Sequence, residues 1–228
     1  YRIAKFMAEN GANLILHSRS LEHTASVLAE VKAMGVEAYD IAAELSKPEE
    51  VQRMIDEIKA KGTQVDILFN DAAVQIAYRT DYYKTPVEDY VQSFYINTIA
   101  PMMLCYAFIP PMIERGFGRV INTTSGIRNE PEQAGYSASK AALDKVTLDL
   151  AGKVDGTDVI ISLTDPGWCR TDLGGPNAPN DPDSVIPGIC VGAFVDDKIS
   201  GRNLGAQGFT GLSLEEAVEK AKGYDKLF

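Results

Sequence analysis

Short apolar runs alternate along this chain with longer stretches in which apolar positions recur every three or four residues. The runs at 13–17, 36–41, 65–69, 119–123, 158–163 and 202–206 are short and bounded by Gly, Asp or Ser, so they predict strands. Helical spacing fills the intervals. It begins at 1–10, where Ile3, Phe6 and Met7 share a face and Gly11 stops the helix before the first strand. Ser46-Lys47-Pro48-Glu49, Thr85-Pro86-Val87-Glu88 and Ser213-Leu214-Glu215-Glu216 each set a hydroxyl three residues before a carboxylate, the pattern of a capping box. Strands alternating with helices predict an α/β fold around a doubly wound parallel sheet. In such a sheet a strand and a turn come before the first helix, so both are expected upstream of Tyr1.

Composition and charge narrow the function classes. At 45% apolar and 24% charged, the 228 residues have the balance of a globular domain, and a single domain over 1–228 is expected. A net charge of −10 with no basic run argues against a nucleic-acid module or a membrane-surface protein. The apolar stretch at 99–113 is interrupted by Pro101, Pro110 and Pro111, so no membrane span is expected. Three scattered cysteines, Cys105, Cys169 and Cys190, read as free thiols of a reducing compartment, and with no signal-peptide pattern the expected location is cytoplasmic. The two histidines are too isolated for a metal site.

The chemistry concentrates in one region. Tyr136-Ser137-Ala138-Ser139-Lys140 puts a phenol and an ammonium four residues apart on a helix, hence on one face. A cation beside a phenol favours phenolate and predicts a tyrosine pKa below about 10, which makes the hydroxyl a usable acid or base. Thr124-Ser125-Gly126 follows the strand at 119–123, where a hydroxyl enters the crevice in which open α/β sheets bind ligands. Asn97 stands four residues before Pro101, so its carbonyl is expected to lose its helical partner. Read alone, each signal also has a plain structural meaning: an exposed helical face, a turn serine, a proline kink.

Taken together, the ordered residues Asn97, Ser125, Tyr136 and Lys140 resemble the active site of the short-chain dehydrogenase/reductase family. Asn70-Asp71-Ala72-Ala73 is similar to the family's Asn-Asn-Ala-Gly turn, and Asp165-Pro166-Gly167-Trp168-Cys169-Arg170-Thr171 to its Pro-Gly…Thr segment. The resemblance implies a Rossmann fold and hydride transfer between a nicotinamide cofactor and a ketone or secondary alcohol, of carbonyl-reductase or 3-oxoacyl-reductase type. Tyr136 would move the proton, Lys140 would hold the nicotinamide ribose, Ser125 would steady the substrate oxygen, and Asn97 would complete the catalytic set. Asn70, Ala72 and Thr171 would line the cofactor, with Glu44 near the adenine. Arg19, at the end of the strand at 13–17 where a carboxylate would select NAD(H), implies NADP(H) instead. Also implied are a substrate lid around 174–194 and assembly as a homodimer or homotetramer through helices at 86–115 and 136–153. Three departures stand out. The family's glycine-rich phosphate turn is absent from the sequence, Asp71 and Ala73 alter the Asn70 turn, and Ser125 lies closer to Tyr136 than is commonest, leaving Thr123 and Thr124 as substitutes. They keep open a non-enzymatic dinucleotide-binding sensor or scaffold with the same fold.

Overall fold

The computed structural model describes residues 1–227, which form two compact units, Tyr1–Gln64 and 65–227. In the first, α1 (Arg2–Glu9) precedes β1 (Leu14–Ser18), α2 (Ala25–Ala33), β2 (Ala38–Ala42) and α3 (Pro48–Ala60). The two strands pair in parallel, from Leu14 opposite Ala38 to Ser18 opposite Ala42. Gly11, at φ +83°, turns the chain between α1 and β1 in a conformation that a side chain would oppose.

The second unit holds a parallel sheet in the order β3 (Ile67–Asn70), β4 (Gly118–Thr123), β5 (Val159–Asp165), β6 (Arg202–Gly205). All six expected strands are present, shifted by at most two residues at either end. In β4 every residue is buried and in β5 all but the last, as expected of central parallel strands covered on both faces. The register sets Asn70 opposite Asn122 and Thr123 opposite Thr164, so the carboxyl ends of β3, β4 and β5 line up.

The helix expected at 86–115 is α4 (Val87–Phe94), a π-helical turn at Tyr95–Ile99, then α5 (Ala100–Arg115). The wide turn lies just before Pro101, which has no N–H to offer the Asn97 carbonyl and whose ring crowds it. By length and composition Val87–Arg115 could cross a membrane, contrary to the expectation drawn from its prolines, but half of its most apolar window is buried within the protein, as in a core helix. The second long helix is α6 (Ala134–Ala151). It packs tightly on α4 at Gly135, where a Cβ would lie 2.9 Å from the Asp89 carbonyl oxygen.

Of the three expected capping boxes only Ser213 forms one, at the start of α7 (Leu214–Lys222). Ser46 falls one residue early, because Lys47 is the N-cap and Pro48 opens α3. Thr85 donates its hydroxyl to the Tyr82 carbonyl, and Pro86 takes the N-cap of α4. The segment expected to be a lid divides. Residues Gly188–Ala193 form a buried 3-10 turn, and a Cβ on Gly192 would come within 2.6 Å of Ser162 Oγ, so this half is core. Val191 packs there with Ile160, Val195, Leu204, Phe209, Ala217 and Ala221.

Candidate active site

Strand ends and one helix face bring the predicted residues of the second unit together. Lys140, only 3% exposed, donates from Nζ to the Thr123 carbonyl at 2.8 Å, and its ammonium lies 5.9 Å from the centre of the Tyr136 ring. Tyr136, one helical turn earlier, is buried, and the Ser125 hydroxyl acts on its phenol as a hydrogen-bonding neighbour. Ser125 Oγ also accepts the Ile127 N–H at 3.3 Å, which holds the turn after β4.

The electrostatics correct one expectation. The Tyr136 phenol is pushed above its ordinary value, first by burial and then by the nearby Asp165 charge, while Ser125 pulls it down. Lys140 does not reverse this, because burial acts on the lysine as well: its pKa falls from 10.5 to about 8, with Asp71, Asp144 and Asp165 resisting the fall. The pair is therefore a protonated phenol beside a reluctant ammonium, and not a phenolate beside a secure one.

Asn97 does its work through its side chain. Fully buried in the π turn, it donates from Nδ2 to the Val74 carbonyl at 2.9 Å and to Ser139 Oγ at 3.0 Å, and accepts the Val74 N–H at 2.9 Å. It ties the segment after β3 to α6 one residue before Lys140. Thr123 is drawn away from the crevice, its hydroxyl donated to Asp71 at 2.9 Å. The Thr124 hydroxyl is itself buried, which leaves the half-buried Ser125 as the hydroxyl of this turn that lines the crevice.

The expected cofactor residues fare unevenly. Asn70 turns its side chain inward, donating to Asn122 Oδ1 at 2.7 Å and towards Cys105 Sγ at 3.6 Å, so its amide pins β3 to β4. Ala72 is exposed. Thr171 is exposed and its Oγ1 accepts the Gly174 N–H at 3.1 Å, leaving the hydroxyl proton to donate. In the first unit, Arg19 is exposed at the end of β1 and forms no hydrogen bond or ion pair among the described residues. Glu44 is occupied locally, accepting the Ser46 N–H at 3.1 Å.

Two acidic residues gain a role that the sequence did not give them, Asp144, which escaped the reading, and Asp165, which was read only as the start of the Pro-Gly…Thr segment. Asp165, at the end of β5, accepts the Gly167 N–H at 2.8 Å, and its other oxygen would lie 2.9 Å from a Cβ on Gly126. Asp144 is half-buried one turn beyond Lys140, and desolvation raises its carboxyl above the usual range. The same four-residue spacing that links Tyr136 to Lys140 continues to Asp144, a signal present in the sequence.

The family model for short chain dehydrogenase matches residues 1–181. A short chain dehydrogenase of Pseudocercospora fijiensis is 29% identical over 177 residues, covering 77% of this chain and 57% of that protein. The 3-oxoacyl-[acyl-carrier-protein] reductase FabG of Staphylococcus epidermidis is 28% identical over 200 residues, covering 86% of this chain and 80% of that one. Among solved structures, a metagenomic short-chain oxidoreductase in complex with NADP superposes with a TM-score of 0.73 at 27% identity, covering 87% of each chain. The promiscuous reductase LugOII, a keto-reductase of lugdunomycin biosynthesis, does so with 0.74 at 26% identity, over 92% of this chain and 91% of that one.

Proposed function

The chain belongs to the short chain dehydrogenase family, and on that premise we propose that it transfers a hydride between NADP(H) and a ketone or secondary alcohol, with Tyr136 giving or taking the proton. The observation that carries the proposal is Lys140. An ammonium has three N–H donors, and this one is 3% exposed with a single protein acceptor, the Thr123 carbonyl. Buried donors seek partners, and the paired hydroxyls of a ribose would supply them beside the Tyr136 ring.

When bound, the nicotinamide supplies or accepts the hydride; the protein supplies position and protons. The raised phenol keeps its proton at neutral pH, which suits reduction: Tyr136 donates to the oxygen of the substrate as it becomes an alkoxide. Ser125 adds a hydrogen bond to that same oxygen, where negative charge gathers. Lys140 then faces the tyrosinate and favours it. Asn97 positions the site by fixing α6 against the segment at Val74. The unpaired guanidinium of Arg19 fits a 2′-phosphate, and the similar oxidoreductase bound to NADP supports that preference. Thr171 retains a proton for the carboxamide. Glu44 and Ala72 are assigned to the cofactor by family likeness, as is Asn70 through its main chain. The exposed stretch at 171–177 is the remaining candidate for a substrate lid. A stripe of exposed apolar side chains, Val87, Val91, Ile99, Tyr106 and Ile113, runs along one long helix and fits a homodimer or homotetramer.

Tyr136→Phe tests the proposal. The expected result is NADPH binding, read by fluorescence, within twofold of the parent, with ketone-dependent NADPH oxidation reduced at least a hundredfold. Turnover retained in the variant would overturn the assignment. NADPH binding by the parent with no turnover on any ketone would favour the sensor or scaffold.

A further inference from the structure

Lys140 is held among charges that come from three separate elements. Asp144 lies one turn further along α6, Asp165 ends β5, and Asp71 follows β3 in the turn that begins at Asn70. Each carboxylate opposes the fall of the lysine pKa, Asp71 ahead of the other two. Tyr136, on α6, also faces the ammonium, which lies 5.9 Å from its ring centre. Of the three carboxylates, Asp71 is joined to the residue that receives the ammonium. Thr123 offers its main-chain carbonyl to Lys140 Nζ at 2.8 Å and donates its hydroxyl to Asp71 Oδ1 at 2.9 Å. Thr123 is buried, so both contacts sit in a medium where charges interact more strongly than in water. Asp71 is exposed, yet its charge reaches inward: after burial, it is the second influence that pushes the Cys190 thiol up to about 12.

The residue type matters, because the turn resembles one that carries asparagine at this place: Asn-Asn-Ala-Gly becomes Asn70-Asp71-Ala72-Ala73 in this chain. An asparagine oxygen would accept the Thr123 hydroxyl equally well, so the hydrogen bond alone does not call for a carboxylate. What the carboxylate adds is negative charge, and an opposite charge nearby favours the protonated form of a buried amine. That form matters to the cofactor. An ammonium has three N–H donors, one of them already committed to Thr123, and a neutral amine gives up one of the remainder. We propose that Asp71 is a positioning residue that acts through Lys140: fixed by the Thr123 hydroxyl, it is the counter-charge that keeps the ammonium protonated for the ribose of the cofactor. The counter-charge stands on the run of contacts from Lys140 through Thr123 to Asp71; its service to the ribose rests on the function proposed above for Lys140.

Lysine labelled with carbon-13 at Cε lets NMR follow the Lys140 ammonium directly, its resonance assigned by loss in Lys140→Met, with no reliance on activity. In the parent it should titrate at about 8. Asp71→Asn, which keeps the acceptor and removes the charge, is expected to lower that midpoint by about half a pH unit or more, whereas Asp71→Glu keeps the charge and should stay within about 0.2 of the parent. Thr123→Val, which retains the carbonyl and releases Asp71, should lower it part of the way. Circular dichroism confirms that each variant is folded. An unchanged midpoint in folded Asp71→Asn, or one lowered as far by Asp71→Glu as by Asp71→Asn, would overturn the counter-charge, the second because it would make the effect one of shape. NADPH titrations by fluorescence over the same pH range separate the two readings. Affinity that falls as Lys140 loses its proton, and does so at lower pH in Asp71→Asn, supports the link to the ribose. A moved midpoint with NADPH affinity indifferent to it would overturn that link and leave the counter-charge standing.

Discussion

Replacing Lys140 by Met separates what the lysine does for the fold from what it does for the cofactor. Burial lowers its pKa from 10.5 to about 8. Above pH 8 the folded protein has released the proton while the unfolded chain keeps it until 10.5, so the unfolded state binds more protons in that window. Stability therefore rises with pH between 8 and 10.5 and is flat below 8, where both states hold the proton, the reverse of a lysine that gains a carboxylate partner. The gap between 10.5 and about 8, at 1.36 kcal/mol per pH unit, makes this ammonium unfavourable to folding by about 3 kcal/mol at pH 7. By pH 9.5 about 2 kcal/mol of that penalty is gone. Lys140→Met has no such titration, and in exchange it leaves the Thr123 carbonyl unpaired, a loss of about 1–3 kcal/mol at any pH. Urea unfolding of parent and variant at intervals from pH 7 to 9.5 reads the difference directly. The parent should gain about 2 kcal/mol on the variant across that range, while the variant loses NADPH affinity throughout. Parallel stability curves would refute the reasoning, because they would mean that the buried ammonium has an ordinary pKa and is not short of partners.

Two further outcomes follow from other parts of the second unit. Asn97→Ala removes three buried or half-buried hydrogen bonds and should lower the unfolding free energy by about 3 kcal/mol in urea titration; a loss under about 1 kcal/mol would remove its positioning role. Val91→Asp with Tyr106→Asp puts charge on the exposed apolar stripe, so a parent that elutes as a dimer or tetramer in size-exclusion chromatography should become a monomer, and an unchanged elution would place the interface elsewhere.

Legibility of the sequence followed the range of the forces involved. The strands could be read because burial on both faces imposes unbroken apolar runs, and β4 and β5 carry them. The disturbance at Asn97 could be read because Pro101 acts on a carbonyl four residues away, and the structure answers with a π turn. Capping was harder: a shift of one residue in the start of α3 or α4 moves a hydroxyl out of reach, and the pattern of Ser46 or Thr85 does not reveal where the first helical residue will fall. The sign of the Tyr136 shift was beyond local reading altogether. Spacing along a helix tells which groups are neighbours, but the balance between a neighbouring charge and the loss of solvent depends on what the rest of the chain packs around both. Here burial and Asp165, contributed from a strand 29 positions later, together outweigh the Ser125 hydroxyl. The same non-local assembly produces the wall beside Ser125, for Thr124 lies just past β4, Asp144 in the middle of α6 and Asn203 within β6, and no segment of sequence contains them all. Each is an unremarkable polar residue in its own element. They become neighbours of Ser125 only through the packing of three separate elements, so no motif records them.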